Sequence, residues 1–104
     1  MVHYDIRHAR PAEEDLIDIL KYIGIDVSEP SAALRMLETI DKSIESLSVM
    51  PHRYPLVDDE RLAALGYRKL PVKNYLVFFT IGEDANTVYV ERILYARRDW
   101  LQIL

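Results

Sequence analysis

Leu76-Val77-Phe78-Phe79 constrains the fold of this chain more than any other stretch. It lies within Tyr75–Gly82, a run rich in β-branched and aromatic residues that reads as a strand. A half-exposed strand alternates apolar with polar side chains, whereas this one is apolar on both faces. Such a strand belongs in the middle of a sheet. Two further β-rich runs flank it, Tyr67–Val72 before and Thr87–Tyr95 after, and each has the right length to pair with it. The connections are only Lys73-Asn74 and the turn-prone Glu83-Asp84-Ala85-Asn86, which predicts an antiparallel meander.

The cover for one face of that sheet comes from the first half of the chain. Val2, Tyr4 and Ile6 alternate with His3, Asp5 and Arg7, the period of a strand. Arg10-Pro11 then opens a helix, with Glu13, Glu14 and Asp15 at the positive end of its dipole. Ala12, Leu16, Ile19, Leu20 and Ile23 recur at helical spacing, with Asp18 and Lys21 outside the stripe and Gly24 as the expected stop. Ser28 is the expected N-cap of a second helix with Pro30 in its first turn. Ala33, Leu37, Ile40, Ile44 and Leu47 form its seam, and Pro51 ends it. Two helices joined by so few residues lie antiparallel, as a hairpin. Between hairpin and meander, His52–Gly66 is the least regular stretch, with one or two helical turns expected over Asp59–Leu65. Arg97–Leu104 is too apolar for a loose tail and is expected to dock. The chain therefore reads as one α+β domain over residues 1–104. Its two layers run in the order β-α-α-β-β-β, an antiparallel sheet packed against an N-terminal helical hairpin.

Composition removes several function classes. With no cysteine, disulfides, thiolate metal sites and thiol nucleophiles are excluded. Glycine occurs only at 24, 66 and 82, so there is no glycine-rich phosphate loop. His3, His8 and His52 are too scattered for a metal site, and the consecutive acids Asp58-Asp59-Glu60 read as a solvated turn. Ser43, Ser46 and Ser48 read as helix surface. No apolar run approaches the ~20 residues of a bilayer span, and no secretory leader is recognisable, so no membrane association and a cytoplasmic location are expected. No cofactor is called for. The net charge of −4 argues against gripping nucleic acid by an overall basic field. The charge is uneven, however: residues 1–51 carry 5 basic and 10 acidic side chains, residues 66–104 carry 6 and 4.

The basic C-terminal third holds the candidate site. Arg68 begins one strand, Arg92 lies inside another, and Tyr95, Arg97 and Arg98 stand at that strand's exit. If strand ends converge, these guanidiniums share one concavity able to bind phosphate or carboxylate in bidentate fashion. The alternative is that Arg68 and Arg92 pair with Glu91, Asp99 or other acids and staple the sheet.

Tyr67-Arg68-Lys69-Leu70-Pro71-Val72-Lys73-Asn74-Tyr75-Leu76-Val77-Phe78-Phe79-Thr80-Ile81 and Val88-Tyr89-Val90-Glu91-Arg92-Ile93-Leu94-Tyr95-Ala96-Arg97-Arg98-Asp99-Trp100 together resemble the RelE/ParE toxin superfamily. The stripe Ala12, Asp15-Leu16, Ile19, Tyr22-Ile23 and the Ile44, Leu47, Pro51 ending resemble its helical hairpin. The resemblance implies the toxin of a type II toxin–antitoxin module, of the kind linked to growth inhibition and plasmid stabilisation, neutralised by a protein antitoxin. It implies no direct reading of DNA by this chain. Two activities follow from it. A ParE-type toxin binds DNA gyrase, with Arg68, Lys69, Lys73, Arg97, Arg98 and Trp100 as expected contacts of target or antitoxin. A RelE- or YoeB-type toxin cuts mRNA on the ribosome, for which Arg68, Arg92, Tyr95 and Arg97 are the catalytic candidates. That chemistry needs a base for the 2′-hydroxyl, and a tyrosine phenol is a poor one near neutral pH. The missing base, the long hairpin and the low pI favour the gyrase branch. The antitoxin is expected to lay Leu, Ile and Val on the sheet edge or hairpin and acidic residues on the basic third.

Overall fold

The computed structural model describes all of residues 1–104. Tyr75–Gly82 (β3) is an interior strand, flanked by Arg68–Val72 (β2) and Thr87–Tyr95 (β4), both antiparallel to it. Asp5–His8 (β1) joins on the far side of β4, giving the order β1-β4-β3-β2. The expected meander is present, but the sheet is mixed, because β1 runs parallel to β4 from Asp5↔Thr87 to His8↔Val90. Residues before it bridge the end of the hairpin instead: Tyr4 N–H donates to the Ser48 carbonyl, and His3 pairs with Val49.

Two helices, Arg10–Lys21 (α1) and Pro30–Glu45 (α2), cover one face. Ala12, Ile19, Ile40, Ile44 and Leu47 pack there against Leu70, Val72, Val77, Phe79, Val88, Val90 and Ile93. Gly24 does not end α1. The chain continues through a π-helical turn, Tyr22–Asp26, in which Gly24 lies beside α2: a Cβ there would stand 3.4 Å from the Ala33 Cβ, an ordinary contact. Nor is Ser28 the N-cap of α2. Its φ of 57° turns the chain and its Oγ donates to the Ile25 carbonyl, leaving the cap position to Glu29. At the other end of α2, Arg53 closes the helix by donating to the carbonyls of Ser46, Val49 and Met50.

The opposite face of the sheet is also covered. A short helix, Glu60–Ala64 (α3), and the C-terminal turn Trp100–Gln102 enclose a second cluster of Val57, Leu62, Phe78 and Leu94. Val77 and Phe79 therefore face the hairpin while Phe78 faces the C-terminal segment, which is why this strand carries no polar face. Asp59 in the acidic run caps α3, accepting from Leu62 N–H at 2.9 Å. Asp59→Ala is expected to cost about 1 kcal/mol in urea unfolding, the usual worth of an N-cap.

A bulge shapes the site end of the sheet. Phe79 pairs with Val90 but Phe78 pairs with Arg92, so Glu91 is an extra residue in β4. The shift keeps Val90 and Ile93 on the hairpin side although they are three apart.

Candidate functional site

β1 leaves β4 at Val90, so β4 beyond that point has an open edge. Asp15 on α1 closes it. Its Oδ2 accepts from Ile93 N–H at 2.9 Å and from Arg92 Nε at 2.7 Å, and its Oδ1 accepts from Arg92 Nη2 at 2.8 Å. A carboxylate thus replaces the missing strand, and the paired guanidinium neutralises it. The Asp15 hydrogen bond holds Arg92 firmly protonated, raising its pKa above an already high value against the opposing effect of burial.

Arg68 is committed elsewhere. Its Nη1 donates to the Tyr54 carbonyl at 2.7 Å and to the His52 carbonyl at 3.4 Å, pinning the loop before α3 to β2. It pairs with Phe79, whereas Tyr95 pairs with Tyr75, four residues away along β3. At roughly 3.3 Å per residue that is about 13 Å of sheet. The register therefore sets Arg68 apart from the Tyr95–Arg98 end, although Arg92, opposite Phe78, stands at nearly the same level as Arg68 on the far side of β3. Of the acids named as pairing candidates, Glu91 instead accepts from Thr80 Oγ1 at 2.9 Å.

What does gather lies at the other end of the strands. A cleft of about 700 Å³ is lined by Asp15, Asp18 and Ile19 of α1, by Tyr22 at the start of the π turn, and by Asn74, Tyr75, Ile93, Tyr95 and Arg98. This volume is within the range of ordinary ligand sites. Tyr75 and Tyr95 meet edge to face with centroids 5.9 Å apart. Burial, reinforced by Tyr22 and Tyr95, raises the Tyr75 phenol above its ordinary 10.0. Burial also raises Tyr67, with Glu91 adding to it. A raised phenol pKa favours the folded state below pH 10 and loses that contribution as pH climbs through the folded value. An absorbance titration of the seven tyrosines should show a late phase, part of which Tyr75→Phe removes.

Of the residues proposed from sequence, Tyr95 and Arg98 line the cleft, and Lys73 and Arg97 are exposed next to lining residues. Lys69 and Trp100 sit on the other side of the sheet: Lys69 Nζ lies 5.9 Å from the Trp100 ring centroid, and Trp100 packs on Phe78. Tyr22, Tyr75 and Asp18 were not among the candidates. The signal for Asp18 and Tyr22 was present in the spacing Asp15, Asp18, Ile19, Tyr22, one face of a helix; Tyr75, at the start of β3, had none. Beyond the cleft the hairpin leaves large apolar side chains in solvent, with Ile25 70% and Leu34 64% exposed.

The family model described as "ParE toxin of type II toxin-antitoxin system, parDE" matches residues 6–100. This chain belongs to the ParE toxin family. Among solved structures, the toxin is similar to a chain of the chromosomal ParDE toxin–antitoxin system from P. aeruginosa. The TM-score is 0.74 at 18% identity, over 91% of this chain and 98% of that one. It is also similar to a chain of the toxin–antitoxin complex RelBE2 from Mycobacterium tuberculosis. There the TM-score is 0.64 at 20% identity, over 91% and 93%. No curated protein sequence matches it. Both structural likenesses show that the toxin shares the α+β fold of that superfamily. No helix in it is long and apolar enough to cross a membrane.

Proposed function

We propose that this toxin arrests growth by binding DNA gyrase through surface complementarity, without chemistry of its own, and that a cognate antitoxin neutralises it. The observation that carries the reading is what has become of the nuclease candidates. Arg92 is clasped by Asp15 through both edges of its fork, and Arg68 has its Nη1 engaged by backbone carbonyls, so no pair of free guanidiniums is set to grip a phosphate. Only Tyr95 and the neighbouring Arg97 and Arg98 are left at the cleft end, and no histidine lines it. General acid–base cleavage of RNA requires a base, an acid and phosphate cations at hydrogen-bond reach of one another. Binding requires only an exposed surface, and Tyr95, Arg97, Arg98 and Lys73 supply one.

The antitoxin part of the proposal rests on family membership and on the exposed apolar residues of the hairpin, which a partner would cover. The deciding experiment pairs two assays on purified toxin. Gyrase supercoiling should fall as toxin is added in excess, while toeprinting of translated mRNA shows no codon-specific cleavage. Unchanged supercoiling together with cleavage in the ribosomal A site would replace this reading with the nuclease one.

A further inference from the structure

Three tyrosines line the cleft beside α1, each from a different element: Tyr22 from the π turn, Tyr75 from β3 and Tyr95 from β4. Tyr75 and Tyr95 are paired across the sheet, and their ring planes stand at 72°, so they form a corner and not a stack. The phenols of Tyr22 and Tyr95 each push that of Tyr75 upward, so the third phenol stands near the same corner. The face of an aromatic ring is its negative side, and several rings lining one cavity attract a cation more than a neutral group of equal size.

The fixed charge of the helix wall has the matching sign. Asp15 has both oxygens engaged and its charge met by Arg92, whereas Asp18 has neither a hydrogen bond nor an ion pair. Glu14, one helical turn before Asp18, is exposed and also unpaired. Arg98 lines the cleft too, and its charge opposes a cation. It is exposed on the turn after β4, where a long side chain carries its charge into water, an option closed to a short aspartate fixed on a helix. One free carboxylate is too few for a metal ion. A volume of about 700 Å³, with Ile19 and Ile93 in the walls, has room for hydrocarbon around the charge.

We propose that this cleft binds a small organic cation, an alkylated ammonium group seated against the tyrosine corner with Asp18 as its counter-charge. The proposal goes beyond the gyrase reading and does not depend on it or on a protein partner. Choline and its neutral isostere 3,3-dimethylbutan-1-ol serve as probes, each titrated into the intact toxin and followed by NMR. They share a shape and differ in charge, so the preference between them isolates the electrostatic part. Choline is expected to bind at least about fivefold more tightly and to shift the ring signals of Tyr22, Tyr75 and Tyr95. Asp18→Asn should weaken choline binding and Arg98→Gln should strengthen it, while neither alters the neutral probe. Tyr95→Phe should keep the binding and Tyr95→Leu lose most of it, with unaltered backbone signals away from the cleft establishing that both variants fold. Several results would each overturn the proposal: equal affinity of the two probes, no saturable choline binding, shifts confined to other surfaces, or tighter binding in Asp18→Asn. Inorganic phosphate shifting the same rings at lower concentration than choline would overturn it as well. Gyrase supercoiling assayed without choline reports on the proposed target separately, so either idea can fail without the other.

Discussion

Asp15→Ala should destabilise the toxin by about 3 kcal/mol, the low end of the scale on which breaking one partner of a buried pair is felt, since this pair is partly buried. The substitution strands two groups together. Arg92 keeps a guanidinium whose side chain is only 24% exposed, now without its counter-ion, and Ile93 N–H loses its only acceptor at the edge of β4. Both penalties come from desolvated groups left unmatched and not from the lost attraction alone. In a domain near 100 residues the effect corresponds to a fall of about 15 °C in Tm, readable by circular dichroism. Removing the second charge as well, in Asp15→Ala with Arg92→Met, should recover part of the loss, because an apolar pair carries no stranded ion. A cost below about 1 kcal/mol for the single change would mean that the clasp behaves as an ordinary surface pair and that Arg92 is free to swing out. That outcome would also remove the main support for a non-catalytic toxin.

Asp15 illustrates which parts of this molecule were legible in the chain and which were not. β3 and β4 were readable to the residue, because a local property decides them: β-branched and aromatic runs closed by turn signals. The apolar seams of both helices were readable for the same reason. Asp15 looked like a helix-dipole residue, and its true partners lie 77 and 78 positions away. Such a contact follows from where β1 stops pairing, which no local pattern records. The gathering of Arg68 with Tyr95 and the arginines beyond it failed on register: Arg68 and Tyr95 occupy strand ends that sit at different levels of the sheet. The extra residue at Glu91 further shifts which side chains share a face: the polar pair Glu91-Arg92 interrupts the alternation of β4 there, but the break alone does not say on which face Ile93 resumes. The parallel placement of β1 was equally hidden, since a four-residue strand pairs either way with the same side chains inward. The π turn at Gly24 stands where a stop was expected, since the chain there stays helical beside Ala33 of α2 and glycine ends a helix only where the backbone turns left-handed.

The second face of the sheet yields the other large effect. Phe78 is fully buried in the smaller cluster and should cost about 4 kcal/mol when cut to alanine, as large core truncations do. Trp100 lies against it with ring centroids 5.2 Å apart, but it is only partly buried, so Trp100→Ala should cost about 2 kcal/mol. Because each ring loses its partner when the other is removed, the double substitution should cost about 1 kcal/mol less than the two single effects added. Trp100 is the only tryptophan, so its fluorescence reports this contact directly: Phe78→Ala should red-shift the emission of the folded protein as water reaches the indole. The same pair separates a structural tryptophan from one that touches the target. If Trp100 serves as a plug, Trp100→Phe keeps most of the stability and the proposed gyrase inhibition with it, and the loss in Trp100→Ala tracks the fraction unfolded. If stability is unchanged to within 0.5 kcal/mol, the usual scatter of surface substitutions, while inhibition is abolished, the indole is a contact residue and the plug is wrong.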